Sequence, residues 1–484
     1  MPLLQRLRTS PSIPARNRLA PLALVLAALL SACASTTPAS PNLPETPIPT
    51  EWSSTAPYAP AKADTASLAA WWQGFNDPQL TALVTQALQN NTDIRTAQAA
   101  LRQARALRDV SAAGLGPRVD TSASAQRSKS GGSQAGNLFQ AGFDASWEPD
   151  VFGGNRSALN ASDADVQAAT ASLGNVQVSL AAETAINYLQ LRGLQAQRLI
   201  AQGSLAAQRE TLQLTRWRAQ AGLASSLDVE QGIAASEQTA AQIPSLDTGI
   251  AQAASSLAVL TGQSPGVLRS ALATAAPVPQ AAGDLALAFP AETLRQRPDV
   301  RAAEHRVTAA LARVAQADAA RYPGFQISGS LGLRALTLGT LTGGASVANA
   351  LLASVSVPLF DGGAARAQVR AQQAALEQAR LSYQATVLTA LKDVEDALVS
   401  LQGNRERLAR LQAAAQAAGN ADLLARQRYA SGLIDFRAVL ETQRTLLSTQ
   451  DSLEATRASL SADHVRLYKA LGGGWTRALE TAAR

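Results

Sequence analysis

The sequence predicts a mainly α-helical protein with a smaller antiparallel β part built for a membrane. Three observations predict it. Most of the chain is duplicated, its helical stretches carry sustained heptads, and each copy holds two segments that alternate with a period of two.

The duplication is read from spaced landmarks. Asp93-Ile94-Arg95 leads to Gly116-Pro117, and Asp299-Val300-Arg301 leads to Tyr322-Pro323, an offset of 206 (299 − 93). Pro149, Gly153 and Gly154 recur as Pro358, Gly362 and Gly363 at offset 209. Arg216, Arg218 and Gly222 recur as Arg426, Arg428 and Gly432 at offset 210. So steady a shift means one long structural unit present twice, far longer than a solenoid repeat. The expected organisation is a signal peptide over 1–32 and an extended tether over 33–66. A first repeat over 67–275 and a second over 276–484 follow, the second ending in a short tail.

Composition narrows the class. Aromatics make up 4% of the 484 residues and charged groups 16%, which suits long helices in alanine-rich contact more than bulky globular cores. Of the formal charge of +6, four units come from Arg6, Arg8, Arg16 and Arg18, leaving +2 (6 − 4) for the rest. Such a weak balance argues against a nucleic-acid partner. Those arginines precede an apolar run, Leu19–Leu30, broken early by Pro21. It is too short to span a bilayer and fits the apolar core of a signal peptide. The run ends in Leu30-Ser31-Ala32-Cys33, which looks like a bacterial lipoprotein cleavage box. Cys33 is the only cysteine, so an intramolecular disulfide is impossible and lipid attachment at Cys33 is expected. Ala34-Ser35 lack the aspartate of an inner-membrane retention signal, and by that analogy the lipid goes to the outer membrane. Pro, Ser, Thr and Ala then dominate to about Lys62, the composition of a solvated tether.

Each copy opens with a helix-compatible stretch, Leu80–Ala113 and Ala291–Ala320, and then changes period. In Phe139–Trp147 the odd positions are Phe139, Ala141, Phe143, Ala145 and Trp147. Phe325–Arg334 places Phe325, Ile327, Leu331 and Leu333 on its odd positions, and Val119–Gln126 and Val347–Leu359 alternate less strictly. These are four strands of about 9–11 residues, the length of a tilted membrane-spanning strand. Two exposed hairpins on a soluble core give the same pattern. Four strands cannot close around a pore, and open edges in hydrocarbon would leave N–H and C=O groups unpaired. Strands that enter a membrane must therefore be completed by other subunits, and a trimer with twelve strands is the simplest closed solution.

The helices that follow are very long, with no proline from Asp150 to Ile243 or from Leu359 to the C-terminus. Ser157–Ala219 as one helix would measure about 95 Å. Val387, Val394, Leu401 and Leu408 recur every seven residues, as do Val439, Leu446, Leu453, Leu460 and Leu467. The latter set maps back by 210 onto Val229, Ser236, Ile243, Ile250 and Leu257. Sustained heptads mean helix-on-helix supercoiling. Gly222 and Gly432 interrupt the long helices and permit the left-handed backbone of a tight reversal. Each repeat thus predicts a helical hairpin with a tip at Arg218–Leu223 or Arg428–Leu433.

Three segments carry a family resemblance. They are Trp71–Leu80 with Leu83, Ala87-Leu88 and Asn91–Arg95, then the two tips, and then Leu467–Trp475. In them the chain resembles the outer-membrane efflux factors of the TolC family, and among those the OprM-like, NodT-type lipoproteins. The resemblance implies a homotrimer: a twelve-stranded outer-membrane β-barrel, four strands per protomer, continued by a long α-helical coiled-coil barrel in the periplasm. It implies a periplasmic adaptor (a membrane fusion protein) and an inner-membrane pump of RND type as partners, with outer-membrane lipid around the strands. Small molecules would pass through passively. Carried over by position, Asp228, Tyr429, Glu441 and Arg444 occupy periplasmic gate positions, and Gly222, Leu223, Gly432 and Leu433 the adaptor-docking tips. Threefold symmetry would gather like side chains into rings at the axis, where carboxylates and arginines make a closure weak enough to open. Glu441 and Arg444 also fit a plain solvated i,i+3 pair.

No enzyme signature competes. There is no phosphate loop, nucleophile elbow or metal-ligand cluster, and the only histidines, His305 and His464, lie in helical stretches. Asp393, Glu395 and Asp396 read as the solvated face of a heptad helix. No cofactor or metal is expected beyond the lipid on Cys33. Type I protein secretion and a lipid-anchored coiled-coil scaffold without a pore remain the competing readings.

Overall fold

The computed structural model describes residues 43, 68–132, 134–281 and 291–475. The signal peptide, Cys33 and nearly all of the tether lie outside the described residues.

The same series of elements runs twice. The first pass has α1 (Pro78–Asn90), α2 (Thr92–Ala113), β1 (Arg118–Ser128), β2 (Gly136–Trp147), α3 (Gly154–Gln220), α4 (Ser226–Leu260) and the short α5 (Leu268–Ala271). The second has α6 (Pro298–Ala319), β3 (Gly324–Ala335), β4 (Val347–Ser356), α7 (Ala364–Ala430) and α8 (Phe436–Ala470). The repeated helices have equal lengths: 22 residues in α2 and α6, 67 in α3 and α7, 35 in α4 and α8. α4 runs through Pro244, whose missing N–H frees one carbonyl; the position is exposed, so water can take that bond.

The predicted opening helices are corrected at one point in each copy. Leu80–Ala113 breaks at Asn91, where ψ is 142°. The Asn91 carboxamide accepts from the Asp93 N–H at 2.7 Å and so starts a new helix. The second copy breaks at Arg297, between a 3-10 turn (Ala291–Gln296) and Pro298 at the start of α6. The two breaks do the same job. Asn91 Nδ2 donates to the Leu260 carbonyl at the end of α4 at 2.9 Å, and Arg297 Nη1 donates to the Ala470 carbonyl at the end of α8 at 2.8 Å. Leu260 and Ala470 are 210 apart, so this clasp is duplicated along with the helices it joins.

Two compact units divide the described chain. One, spanning 109–161 and 310–375, holds a single antiparallel sheet in the order β1-β2-β3-β4. Its register puts Phe143 opposite Leu331, Trp147 opposite Ile327, Phe325 opposite Val355 and Gly329 opposite Leu351. Cross-strand partners share a face, so the odd positions of all four strands form one mainly apolar surface, interrupted by Thr121, Arg127, Asn137 and Asn349. Ser122, Gln140, Asp144, Ser328, Ser330 and Arg334 occupy the other. The apolar face is not packed on a core: Phe143, Trp147, Leu331 and Val355 are exposed, and Leu351 is 82% exposed. This decides against the soluble-core reading, in which those groups would be covered. No helix among the described residues is long and apolar enough to cross a membrane.

The second unit holds, among the described residues, 43, 68–108, 162–281, 291–309 and 376–475. There the heptad positions Val387, Val394, Leu401, Val439, Leu460 and Leu467 are buried, as the period required. The two terminal family segments meet here: the Trp71 ring stacks on Tyr468 at 5.4 Å, and the Gly474 N–H reaches the Leu68 carbonyl at 2.8 Å. Asp77 caps α1 by accepting from the N–H groups of Gln79 and Leu80, and its other oxygen accepts from the Tyr188 hydroxyl at 2.8 Å. Burial pushes the Tyr188 phenol up to about 12, against the lowering effect of Arg192. Asp393 is the second correction. It ion-pairs with the buried Arg297 at 3.2 Å instead of lying on a purely solvated face.

Candidate gate and docking tips

Each tip starts from a glycine. Gly222 and Gly432 both have φ +75°. Leu223 N donates to the Arg218 carbonyl at 2.7 Å and Gly222 N to the Ala219 carbonyl at 3.0 Å. The same pair recurs as Leu433 to Arg428 and Gly432 to Tyr429, both at 2.9 Å. This is the Schellman closure, which satisfies the last helical carbonyls and turns the chain sharply. It leaves Leu223 and Leu433, together with Leu227, exposed at the ends of the hairpins.

The returning helices start with different chemistry. Ser225 and Asp228 form a reciprocal capping box: Asp228 N donates to Ser225 Oγ at 3.2 Å, and Ser225 N donates to Asp228 Oδ2 at 3.0 Å. In the second copy Asp435 stands where Ser225 was and accepts from Ala438 N at 3.0 Å. Asp228, expected as a gate residue, is thus engaged in starting its own helix.

The second tip is packed from within. Tyr429 is 4% exposed and belongs to a cluster with Ala235, Ala425, Phe436, Val439 and Leu440. Its ring lies 5.7 Å from that of Phe436, and its hydroxyl is 3.0 Å from Thr215 Oγ1 on α3. Arg218 ties the tips together. Its guanidinium lies over the Tyr429 ring at 4.6 Å and donates to the Tyr429 carbonyl. Tyr429, expected at a constriction, therefore sits inside the protomer's tip, not on a free face.

Glu441 and Arg444 are both exposed on α8, one turn apart, and no ion pair joins them. Below them Gln443 Nε2 donates to Thr211 Oγ1 at 3.1 Å, which fixes this stretch of α8 against α3. The exposed pair therefore projects from a stretch of α8 that is bonded to α3.

Three residues were not picked out from the sequence. Arg218 was visible as a repeated arginine, but its target is a backbone carbonyl and a ring from the other copy. Asp422 is 2% exposed and held by Arg426 at 2.9 Å, an i,i+4 pair that resembles any surface pair in the sequence. Trp217 is exposed beside the first tip, and its isolated tryptophan was the available signal.

The model of the outer membrane efflux protein family matches residues 83–263 and 289–473. The chain belongs to that family. The two matched stretches are offset by 206 at their starts and 210 at their ends, so the family unit is itself the repeat. The toluene efflux pump outer membrane protein TtgF of Pseudomonas putida is 31% identical over 476 residues, covering 94% of this chain and 96% of that protein. The pyoverdine export outer membrane protein OpmQ of Pseudomonas aeruginosa is 31% identical over 480 residues, covering 96% and 98%. Nodulation protein T of Rhizobium leguminosarum is 30% identical over 456 residues, covering 94% and 93%. Among solved structures, the outer-membrane channel OprN superposes with a TM-score of 0.82 at 35% identity, covering 90% of this chain and 100% of that one. VceC of Vibrio cholerae superposes at 0.79 with 26% identity, covering 84% and 99%. This chain is an outer-membrane efflux protein with the TolC-like fold.

Proposed function

We propose that three copies of this chain form the exit duct of a tripartite pump, passively releasing small molecules across the outer membrane without catalysis. The uncovered apolar face of the four-stranded sheet carries this reading. A sheet with two free edges and a lipid-facing side has to be closed by further copies before it can sit in a bilayer. Each protomer would give four strands to a twelve-stranded barrel and its long helices to a periplasmic one. Lipid on Cys33 would anchor the protomer to the outer membrane. The relatives TtgF and OpmQ, named for toluene efflux and pyoverdine export, favour small-molecule cargo over secreted protein.

The tips would receive a periplasmic adaptor that joins the duct to an inner-membrane pump of RND type. Exposed Leu223, Leu433 and Trp217 offer apolar anchors, while Gly222 and Gly432 set the turns that present them. The gate would rest on Glu441 and Arg444, whose exposed side chains pair with no group among the described residues and can pair with symmetry-related copies at the axis. Asp228 and Tyr429 would act on the gate by positioning the helices that carry it.

Planar-bilayer recording tests the duct directly. The purified trimer should show discrete conductance steps, and Glu441→Ala with Arg444→Ala should raise the closed-state conductance. A trimer that gives no steps would favour the scaffold reading. Steps unchanged by the double variant would reject the gate assignment alone.

A further inference from the structure

Leu359 and Phe360, between β4 and α7, are 96% and 93% exposed, the barest large apolar side chains in the described chain. The duplication shows what covers such a loop. The corresponding loop after β2 carries Phe152, which is stacked on Tyr322 at 4.8 Å and lies 6.3 Å from Phe325. Tyr322 precedes β3 and Phe325 is its second residue. At the junction where the first copy pairs with the second, the loop leaving one strand thus rests on the entrance to the next.

The sheet order β1-β2-β3-β4 contains that junction once, between β2 and β3. Its counterpart would join β4 to β1, and both are edge strands in the single chain. Subtracting 206 maps the Tyr322 and Phe325 seat onto Gly116 and Val119 at the entrance to β1. Val119 is exposed, and a Cβ built on Gly116 would meet only the Ala113 carbonyl, at 3.7 Å. The filled seat presents a tyrosine and a phenylalanine to one ring. The empty seat presents a glycine and a valine, leaving room for the larger pair Leu359 and Phe360.

We infer that Leu359 and Phe360 of one protomer pack into the Gly116–Val119 seat of a second copy of this chain, as an apolar peg that fixes the β4-to-β1 junction between subunits. The inference rests on the trimer reading and adds its contact residues. Burying two such side chains at each of three junctions favours closure over an open sheet. A free edge beside an unfilled seat would be open to misassembly.

The test uses the full chain in outer-membrane vesicles, treated with a short bismaleimide. Phe360→Cys combined with Val119→Cys should yield covalent dimers and trimers on denaturing gels, and neither single variant should. Phe152→Cys with Tyr322→Cys should stay monomeric, its thiols consumed within one chain. A photo-reactive phenylalanine at position 360 should label a second copy of the chain. Labelling of lipid instead, or heat-modifiable trimers that form without crosslinks, would overturn the peg while leaving the trimer standing. Loss of the trimer in the unsubstituted protein would overturn the trimer reading itself.

Discussion

The two hairpin tips share a turn and differ in how they are held. Gly222 and Gly432 have the same backbone angle and the same pair of closing hydrogen bonds. Beyond the turn the copies part. The first has Ser226 and Ala219 where the second has Phe436 and Tyr429, and only the second builds an aromatic cluster. The first spends its polar groups elsewhere. Tyr188, Arg192 and Gln195 form a buried network in which Arg192 Nη1 donates to the Thr274 carbonyl at 2.8 Å and Gln195 Nε2 to the Leu272 carbonyl at 2.6 Å. Their counterparts at offset 210 are Leu398, Gln402 and Arg405. Leu272 and Thr274 lie in the connector that leads into the second repeat, so this network latches that connector to α3. Duplication preserved the backbone frame, and the side chains then divided the work.

Substitutions at matched positions can break this comparison. Phe436→Ala should have the largest effect, about 3–5 kcal/mol, because it empties the centre of a buried cluster. Ser226→Ala, its counterpart on an exposed face, should stay within about 0.5 kcal/mol. Thermal melting of the purified protein reads both, and equal shifts would erase the distinction between the tips.

The clasps should rank next. Arg297→Ala strands the Ala470 carbonyl and leaves Asp299 and Asp393 without their shared partner, a loss of about 3 kcal/mol given that both carboxylates keep some contact with water. Asn91→Ala removes one carbonyl bond and one cap, about 1–2 kcal/mol. If the neutral clasp proved the costlier one, the charged network around Arg297 would not be its main support.

Smaller effects sharpen the picture of the second tip. Tyr429→Phe and Thr215→Val should each cost about 1 kcal/mol, and the double variant little more than either, since they share one hydrogen bond. Additive losses in denaturant melts would mean the two hydroxyls do not depend on each other. Among the caps, Asp435→Ala should cost about 1 kcal/mol and Ser225→Ala less. The Asp228 carboxylate still accepts from the backbone N–H of position 225, whereas Asp435 has no reciprocal partner. Limited proteolysis at each tip would report the order, and a reversal would remove the capping box as the reason.

Much of the architecture was legible because it is periodic. Heptads located the buried seams at Val394, Leu401 and Leu467, and alternation located all four strands to within a few residues of their ends. The tip glycines were readable because a left-handed turn leaves few other residues acceptable. The breaks at Asn91 and Arg297 were not readable. Their partners are carbonyls of helices that end far along the chain, and no residue type marks a carbonyl. Asp393 was misread for a related reason: its partner lies 96 residues away in sequence, so spacing within its own helix carries no sign of it.

By itself the sequence determined the family, the duplication and the element order. These follow from local preferences and repeat spacing, which act along the chain. Tertiary structure alone decided that Tyr429 is internal, that Asp228 caps a helix and that the apolar face of the sheet is bare. Those facts depend on which groups compete for the same buried space or the same hydrogen bond, and that competition exists only once distant segments meet.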